Sequence, residues 1–234
     1  MFGRIARRYD MGNRILSLGR DQGWRRKAVG LLQPSAGERI LDIGAGTGDL
    51  SLMLARCGAT VFAADLSQPM LRIGMGKAVK HPAVGPIAFL AADAQRLPFA
   101  DGTFHGATAA FVVRNLQRLD DGLAEVYRLL KPGGRFVCLE FTRPASAIVD
   151  RLYQPYLTRV LPFIGGHIGG DPPAYRYLAE TINEFPAPQV LATSLRAAGF
   201  SAVEWNLMNL GTVAIHVATK REDGGQGMAK GAAT

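Results

Sequence analysis

Long apolar runs are missing from this sequence. No stretch among its 234 residues approaches the roughly 20 apolar residues that a membrane-spanning helix needs. The opening segment, MFGRIARRYD, contains arginines but no apolar segment after them, so we expect no secretory signal. These two features predict a soluble, cytoplasmic protein.

Cysteine is also scarce. The two cysteines, Cys57 and Cys138, lie far apart, without C-x-x-C spacing and without a nearby group of histidines. This pattern argues against a structural zinc site and against a disulfide framework. We therefore expect two buried, reduced thiols and no bound metal.

Positive charge, by contrast, is abundant. The formal charge is +8, and basic residues are crowded into positions 4 to 27 as RIARR and WRRK. Nucleic-acid binding, contact with an anionic membrane and plain solubility would each produce such an excess. No recognisable nucleic-acid-binding module accompanies the charge, so nucleic acid is the least favoured of the three partners.

Apolar segments of strand length alternate with helix-length segments through most of the chain. The strand-like segments are RILDIG, TVFAADLS, IAFLAADA, FHGATAAFVV and RFVCLEFT. Strands joined by helices require right-handed crossovers, which predicts a Rossmann-like α/β fold whose mostly parallel sheet is covered on both faces. Two last strands, near 201–207 and at TVAIHVAT, are separated only by MNLG and predict an antiparallel pair at one edge.

The segments outside this alternation divide the chain. Residues 12–33 are predicted to form one helix, within an N-terminal helical cover at 1–33. The main domain is predicted at 34–219 and contains a helical cover at 145–188, which is rich in Tyr, Pro and Gly. Residues 220–234 contain almost no large apolar side chain and are predicted to be disordered.

The stretch ERILDIGAGTGDL runs from a buried strand into Gly44, Gly46 and Gly48. The loop after such a strand is the usual ligand site, and glycines there permit positive φ and a close approach of the ligand. Asp49 stands where a dinucleotide fingerprint has its third glycine. An acid at a helix N-terminus would repel a pyrophosphate, which disfavours an NAD-dependent oxidoreductase and favours a cationic or zwitterionic ligand.

Two further acids follow the next strands. Asp65 ends the second strand, where a carboxylate can accept two hydrogen bonds from a ribose diol. Asp93 ends the third strand, at the depth where a purine would lie. Three successive strand ends therefore predict a nucleoside site.

This pattern, with LKPGG after the fourth predicted helix, resembles the class I S-adenosylmethionine-dependent methyltransferases. The resemblance implies a seven-stranded sheet with an antiparallel C-terminal hairpin, with S-adenosylmethionine as cofactor and S-adenosylhomocysteine as product. The acids suit a ligand whose sulfonium and amino groups are positive. The positions implied for the methionine part and ribose are Asp42, Gly44, Gly46, Thr47, Gly48 and Asp65, and those for the adenine are Leu66, Asp93 and Ala94.

Further segments narrow the family. YDMGNRILSLG, FVVRNL, LEFTRP, YRYLAETINEFP and GTVAIH occur in this order. Together they resemble the ubiquinone and menaquinone biosynthesis C-methyltransferases over residues 2–219. The resemblance implies methylation of a ring carbon of a prenylated quinol, either a demethylmenaquinol or a methoxy-benzoquinol.

The chemistry of such a reaction gives two residues candidate catalytic roles. A ring carbon becomes nucleophilic when the quinol hydroxyl loses its proton, so the enzyme must stabilise a phenolate and align the carbon with the sulfonium methyl. Arg114 follows the fourth strand as a fixed cation that could hold the oxyanion. Asn115 could donate and accept hydrogen bonds at a second quinol oxygen. Alternatively, Arg114 forms a structural salt bridge to Asp120 or Asp121.

No general base stands out. The resemblance keeps a histidine at position 216, and three phenols could orient the ring hydroxyls. Core packing explains most of these side chains equally well, and water is another candidate base. The residues considered for substrate contact are Tyr9, Tyr175, Tyr177 and His216; the other histidines are His81, His105 and His167.

The chain departs from the family at four positions. Asp21 and Gln22 stand where relatives commonly have a His-Arg pair. Ala110 replaces a frequent serine and Val112 a frequent glycine, which narrows or dries the cofactor pocket. These changes put the particular quinone in doubt more than the reaction type.

Two alternatives and several details stay open at this point. The same fold could methylate another phenolic or lipid acceptor, or the chain could be a non-catalytic cofactor-binding subunit. The apolar segment LTRVLPFIGG could lie along a prenyl tail, and the basic N-terminal helix could rest on an anionic membrane. A homodimer is compatible with the sequence, and ring size and tail length are not determined by it.

Overall fold

The computed structural model describes residues 14, 17, 19–81, 85–163 and 172–222, without the side chains of residues 172, 174 and 175. In this part of the chain seven strands form one sheet. The strands are β1 (Arg39–Ile43), β2 (Thr60–Asp65), β3 (Ile87–Ala91), β4 (Phe104–Ala110), β5 (Leu130–Phe141), β6 (Phe200–Met208) and β7 (Val213–Lys220).

The sheet is parallel except at one edge. The strand order is β3-β2-β1-β4-β5-β7-β6, and the strands from β1 to β5 pair in parallel. β7 runs antiparallel to both β5 and β6, which confirms the predicted fold class and its antiparallel C-terminal pair. The carboxyl ends of β1 to β5 therefore meet along one side of the sheet.

Helices cover both faces. They are α1 (Asp21–Leu32), α2 (Asp49–Arg56), α3 (Gln68–Lys80), α4 (Leu119–Leu129), α5 (Ala147–Pro155), α6 (Pro172–Glu184) and α7 (Pro188–Ala197). Leu123 of α4 and Leu195 of α7 are buried in one apolar cluster, and Trp24 of α1 and Leu54 of α2 in another. The apolar residues recur at helical spacing, so each of these four helices buries one stripe against the sheet. Of the two cysteines that were predicted to be buried, Cys138 is buried and Cys57 is exposed.

The predicted helix over residues 12–33 was wrong at its centre. Arg14 is helical, but Gly19 has φ +73° and its N–H bonds to the Arg14 carbonyl oxygen at 2.6 Å. A glycine in the left-handed region typically ends a helix, and α1 starts afresh at Asp21. The remainder of the predicted cover at 1–33 and the tail from residue 223 lie outside the described residues.

The segment between β5 and α7 forms a small layer of its own. We call α5, the π-helical turn Tyr156–Val160 and α6 the cover helices. They enclose a third apolar cluster, to which Leu157, Leu161 and Ile182 belong. Phe141, the last residue of β5, packs against this cluster, so the cover helices lie at the carboxyl end of β5.

Candidate active site

The loop after β1, residues 44–48, adopts a backbone that favours glycine. Gly44, Gly46 and Gly48 have φ of +62°, +57° and +77°. A Cβ on Gly44 would lie 2.3 Å from Val112 Cγ2, and one on Gly48 would lie 3.4 Å from the Gly74 Cα of α3. These glycines therefore allow β1, the segment after β4 and α3 to come together around this glycine loop.

Asp42 lies directly beneath the glycine loop. Its carboxylate is buried and accepts hydrogen bonds from Ser51 Oγ at 2.5 Å and Thr108 Oγ1 at 2.9 Å. Burial raises the pKa of Asp42 to about 6, although both hydroxyls and the charge of Arg25 act in the opposite direction. The ionised form of this acid, directly beneath the glycine loop, would therefore be stabilised by a nearby positive charge.

Asp65 connects the ends of β1 and β2. Its Oδ2 accepts the Gly46 N–H at 2.8 Å, and its Oδ1 accepts the Ser67 N–H at 2.7 Å. Burial raises the pKa of Asp65, and these two amides lower it in part. Ser67 Oγ, next to this carboxylate, is buried and has no hydrogen-bond partner among the described residues.

The positions implied for an adenine lie on the same side of the sheet. Leu66 is 74% exposed, just after β2. Asp93 is exposed after β3, and its carboxylate accepts the Gln95 N–H at 2.9 Å. Ala94 lines a small apolar hollow with Ile43 and Val112. These side chains follow successive strand ends, and they leave an open edge beside the glycine loop.

The first turn of α2 is linked to both α1 and α3. Lys77 Nζ lies 2.5 Å from Asp49 Oδ1 and donates to Thr47 Oγ1 at 3.1 Å. Gln22 Nε2 donates to Asp49 Oδ2 at 3.0 Å and to Asp21 at 3.2 Å. Burial raises the pKa of Asp49, but the hydrogen bond and charge of Lys77 with the other partners lower it overall.

A buried ion pair lies beyond the end of β4. The side chain of Arg114 is 3% exposed and that of Glu140 is 1% exposed, with Nη1 and Oε1 2.5 Å apart. Glu140 also accepts the N–H groups of Arg114 at 3.3 Å and Phe141 at 2.9 Å. The alternative pairing with Asp120 or Asp121 was wrong, because the adjacent strand β5 supplies a closer carboxylate.

Unpartnered polar atoms cluster at this ion pair. Arg114 Nε, Asn115 Oδ1 and Thr142 Oγ1 are buried without a hydrogen-bond partner in the described part of the chain. Tyr153 of α5 lies close enough for the charge of Arg114 to act on its phenol, whose pKa is raised mainly by burial. Buried polar groups are normally satisfied, so these three atoms are an exception to the usual pattern.

Comparison with known proteins shows the family of this chain. The model of the ubiE/COQ5 methyltransferase family matches residues 1–220. This chain belongs to that family. It is an S-adenosylmethionine-dependent methyltransferase, as the motifs predict.

Individual relatives cover nearly the whole chain. A demethylmenaquinone methyltransferase of Thermus thermophilus is 49% identical over 93% of this chain and 98% of its own length. One of Streptomyces avermitilis is 43% identical over 92% and 91%. A ubiquinone/menaquinone biosynthesis C-methyltransferase UbiE of Methylobacterium nodulans is 39% identical over 92% and 87%.

A solved structure supports the fold alone. A possible histamine N-methyltransferase of Thermotoga maritima superposes with a TM-score of 0.66 at 18% identity, covering 94% of this chain and 98% of that one. At this identity the likeness shows the seven-stranded architecture and carries no statement about the acceptor.

Two of the predicted substrate contacts, Tyr177 and His216, are described by the structure, and they lie on different elements. Tyr9 and the side chain of Tyr175 lie outside the described residues, and Tyr177 lies partly buried in α6. His216 is buried in β7, where its Nε2 donates to the Pro188 carbonyl oxygen at 2.9 Å. Its ring stacks on Trp205 with ring centres 6.1 Å apart, its Nδ1 is buried without a hydrogen-bond partner among the described residues, and burial lowers its pKa.

The other histidines are equally remote from the ion pair. His105 accepts the Arg39 N–H at 3.1 Å and contacts Lys131, at the amino end of β4. His81 is exposed at the end of α3, and His167 lies outside the described residues. None of the described histidines therefore lies beside Arg114.

Two residues of the site escaped the sequence reasoning. Glu140 was part of the recognised LEFTRP segment, and its place at the end of the strand beside β4 was the available signal. Tyr153 lies in a segment whose tyrosine-rich composition gave no pairing information. Among the residues that the structure describes, no group of three or more His, Cys, Asp or Glu side chains could hold a metal ion. No described helix is long and apolar enough to cross a membrane.

Proposed function

We propose that this methyltransferase methylates a ring carbon of a prenylated quinol, with demethylmenaquinol as its acceptor in menaquinone biosynthesis. One observation carries the proposal: the buried Arg114–Glu140 ion pair and the unpartnered Asn115 Oδ1 lie next to the apolar cover helices, and they follow Val112, which packs against Gly44 of the glycine loop. Such a pocket suits a ligand with polar ring oxygens and an apolar tail. The names of the three relatives described above all include menaquinone or demethylmenaquinone, which favours the naphthoquinol.

The donor fits the glycine loop and the acids around it. Asp65 keeps free lone pairs on both oxygens for the ribose hydroxyls, while the amides of Gly46 and Ser67 hold the carboxylate in place. Asp42, with its raised pKa, gains from the positive sulfonium and ammonium groups. The remaining assigned donor contacts are Gly44, Thr47, Gly48, Leu66, Asp93 and Ala94.

The acceptor contacts follow from the ion pair. S-adenosylmethionine supplies an electrophilic methyl group. Glu140 accepts one hydrogen bond from the Arg114 guanidinium, at Nη1, and is itself held by the backbone N–H groups of Arg114 and Phe141. The buried Nε–H of Arg114 has no partner among the described residues and is left for an ionised ring oxygen. Asn115 Oδ1 accepts a hydrogen bond from the second ring hydroxyl. Ionisation of the first hydroxyl, with its proton passing to water, makes the neighbouring carbon nucleophilic. The new C–C bond would form as the methyl–sulfur bond breaks, with S-adenosylhomocysteine as the leaving group, and the ring proton on that carbon would then pass to water.

The donor assignment is tested by calorimetry. Asp65→Ala removes two hydrogen bonds to the ribose, each worth about 1.5 kcal/mol, so we expect affinity for S-adenosylhomocysteine to fall roughly 100-fold. Asp120→Ala, an exposed acid in α4, is the control and should bind normally. Equal affinities for both variants would refute the ribose assignment, and NADH should bind to neither.

The acceptor assignment is tested by turnover with labelled donor, offering demethylmenaquinol and a methoxy-benzoquinol in parallel. We expect preference for the naphthoquinol, and a preference for the benzoquinol would refute the choice of acceptor. The double variant Arg114→Met with Glu140→Gln avoids leaving one buried charge alone. It should bind donor normally and lose about 100-fold or more in kcat, as for removal of an oxyanion donor. Arg118→Met, on an exposed arginine, is the control.

The acceptor also implies a site of action, because a prenylated quinol is dissolved in lipid. α5 has no buried residue, and it exposes Ile148 (76%) and Leu152 (74%) one turn apart, beside exposed Arg151. We propose that this face rests on an anionic membrane, where apolar burial and charge act together. Flotation with anionic liposomes should be lost in the Ile148→Ser/Leu152→Ser variant and retained in Val190→Ser. Equal flotation of all three, or none, would refute this face.

A further inference from the structure

Arg25 of α1 is a buried cation without a complete set of partners. Its residue is 9% exposed, and its guanidinium lies 5.4 Å from the ring centre of Phe111. Its neighbours Arg26 and Lys27 are exposed, as is normal for basic side chains. A buried guanidinium costs stability unless acceptors satisfy it, so its place here requires a reason.

The described residues do not satisfy this guanidinium. Arg25 Nε is buried with no hydrogen-bond partner, and the nearest carboxylate oxygen, on Asp21, lies 4.0 Å away. That carboxylate is already engaged by Ser17 Oγ at 2.9 Å and by Gln22 Nε2 at 3.2 Å. Arg25 is therefore short of one acceptor, and an anionic one would satisfy it best.

The position of Arg25 indicates which anion it receives. Its charge lowers the pKa values of both Asp42 and Asp49, so it lies within electrostatic reach of the glycine loop. Phe111, under the guanidinium, directly follows β4. A donor with its adenine at β3 and its ribose at β2 extends its amino-acid end across β1 towards β4, in the order that the sheet imposes.

We propose that Arg25 binds the α-carboxylate of S-adenosylmethionine. That carboxylate is the one anionic group of the donor, and Arg25 is a buried cation over Phe111, the residue directly after β4. Asp42 lies on the other side, where the ammonium group prefers a carboxylate. The proposal rests on the donor assignment made above and adds to it the residue that recognises the amino-acid end.

The N-terminus of α1 is held in place for this role. Gln22 Nε2 bridges Asp21 and Asp49, and so ties the first turn of α1 to the start of α2. Trp24 anchors the next position by packing edge-on to Phe111 at 6.2 Å. Binding of the carboxylate therefore needs no rearrangement of the helix that carries Arg25.

The test compares S-adenosylhomocysteine with its decarboxylated analogue by calorimetry on the full chain. The unmodified protein should prefer S-adenosylhomocysteine about 10- to 100-fold, the value of a charge-assisted pair of hydrogen bonds. Arg25→Met should lose that preference by weakening only the carboxylated ligand. Arg25→Lys should retain part of it, and Arg26→Met, on the exposed neighbour, should retain all of it.

Each other outcome contradicts the proposal in a recognisable way. Equal binding of both ligands to the unmodified protein would overturn it without any variant. Equal weakening of both ligands in Arg25→Met would show that Arg25 only supports the fold. If no adenosyl ligand binds to the unmodified protein, the donor assignment itself fails, and a preference that persists in Arg25→Met would place the carboxylate elsewhere.

Discussion

Burial of Asp42 disfavours the ionised form of its carboxyl group. With its pKa raised to about 6, the carboxyl favours the unliganded fold when protonated, and this contribution is lost as the pH rises through about 6. A cationic donor requires the opposite state, since it is attracted to the carboxylate. The same residue therefore makes donor affinity and unliganded stability change in opposite directions near this pH.

We expect affinity for S-adenosylhomocysteine to rise between about pH 5 and pH 7 and then level off. Calorimetry across that range measures it. Asp42→Asn should flatten the profile, because Ser51 and Thr108 can still bond to the amide while the titrating group is gone. A profile that rises equally in this variant would assign the effect to another group.

Gly44 combines positive φ with close packing. A Cβ there would meet Val112 at 2.3 Å, and a side chain at φ +62° is strained. Gly44→Ala should lower the free energy of unfolding by about 2–4 kcal/mol, from backbone strain and overpacking together. Thermal and urea unfolding would measure it.

Two further variants separate these contributions. Val112→Gly combined with Gly44→Ala should recover part of the lost stability, since it removes every Val112 side-chain atom that the new Cβ would meet but leaves the backbone strain. Gly76→Ala, in open space within α3, is the matched control and should be slightly stabilising. No recovery in the double variant would show that strain, rather than packing, decides the cost.

At the level of elements, His216 couples β7 to α7. Burial lowers its pKa, so the unfolded chain binds the proton more tightly than the fold does. Its contribution to stability is present above its unfolded pKa of about 6.5 and is lost as the pH falls through the lower folded value. The difference in unfolding free energy between the unmodified protein and His216→Gln should therefore shrink on acidification.

His81→Gln provides the control for this pH dependence. Its histidine is exposed at the end of α3, so the variant should follow the unmodified protein at every pH. Urea unfolding between pH 5 and 7.5 would measure all three proteins. A constant difference for His216→Gln would mean that the ring is not neutral in the fold.

At the scale of the whole molecule, local patterns determined what could be predicted. The strand ends carrying the glycines, Asp65 and Asp93 follow from alternation along the chain, and parallel pairing brings them to one side. The partner of Arg114 did not follow, because Glu140 lies on another strand and becomes a neighbour only through the sheet order. The break at Gly19 and the burial of Arg25 likewise depend on how α1 packs against the sheet.

The cover helices have a smaller core than the sheet. Its buried residues in the described part of the chain are Leu157, Leu161, Ala179 and Ile182. We expect amides of α5 and α6 to exchange hydrogen faster than those of β4 and β5, since fewer buried contacts oppose local opening. Hydrogen exchange followed by mass spectrometry would measure this. Equal protection would mean that the cover unfolds only with the sheet.

Phe141 lies where the sheet meets the cover helices. Its ring packs against the third apolar cluster and lies 5.6 Å from the Arg114 guanidinium, on the acceptor side. The same ring lies 4.5 Å from Phe111, the ring beneath Arg25. One aromatic side chain therefore joins the two buried arginines of the pocket: it contacts Arg114 directly and reaches Arg25 through Phe111.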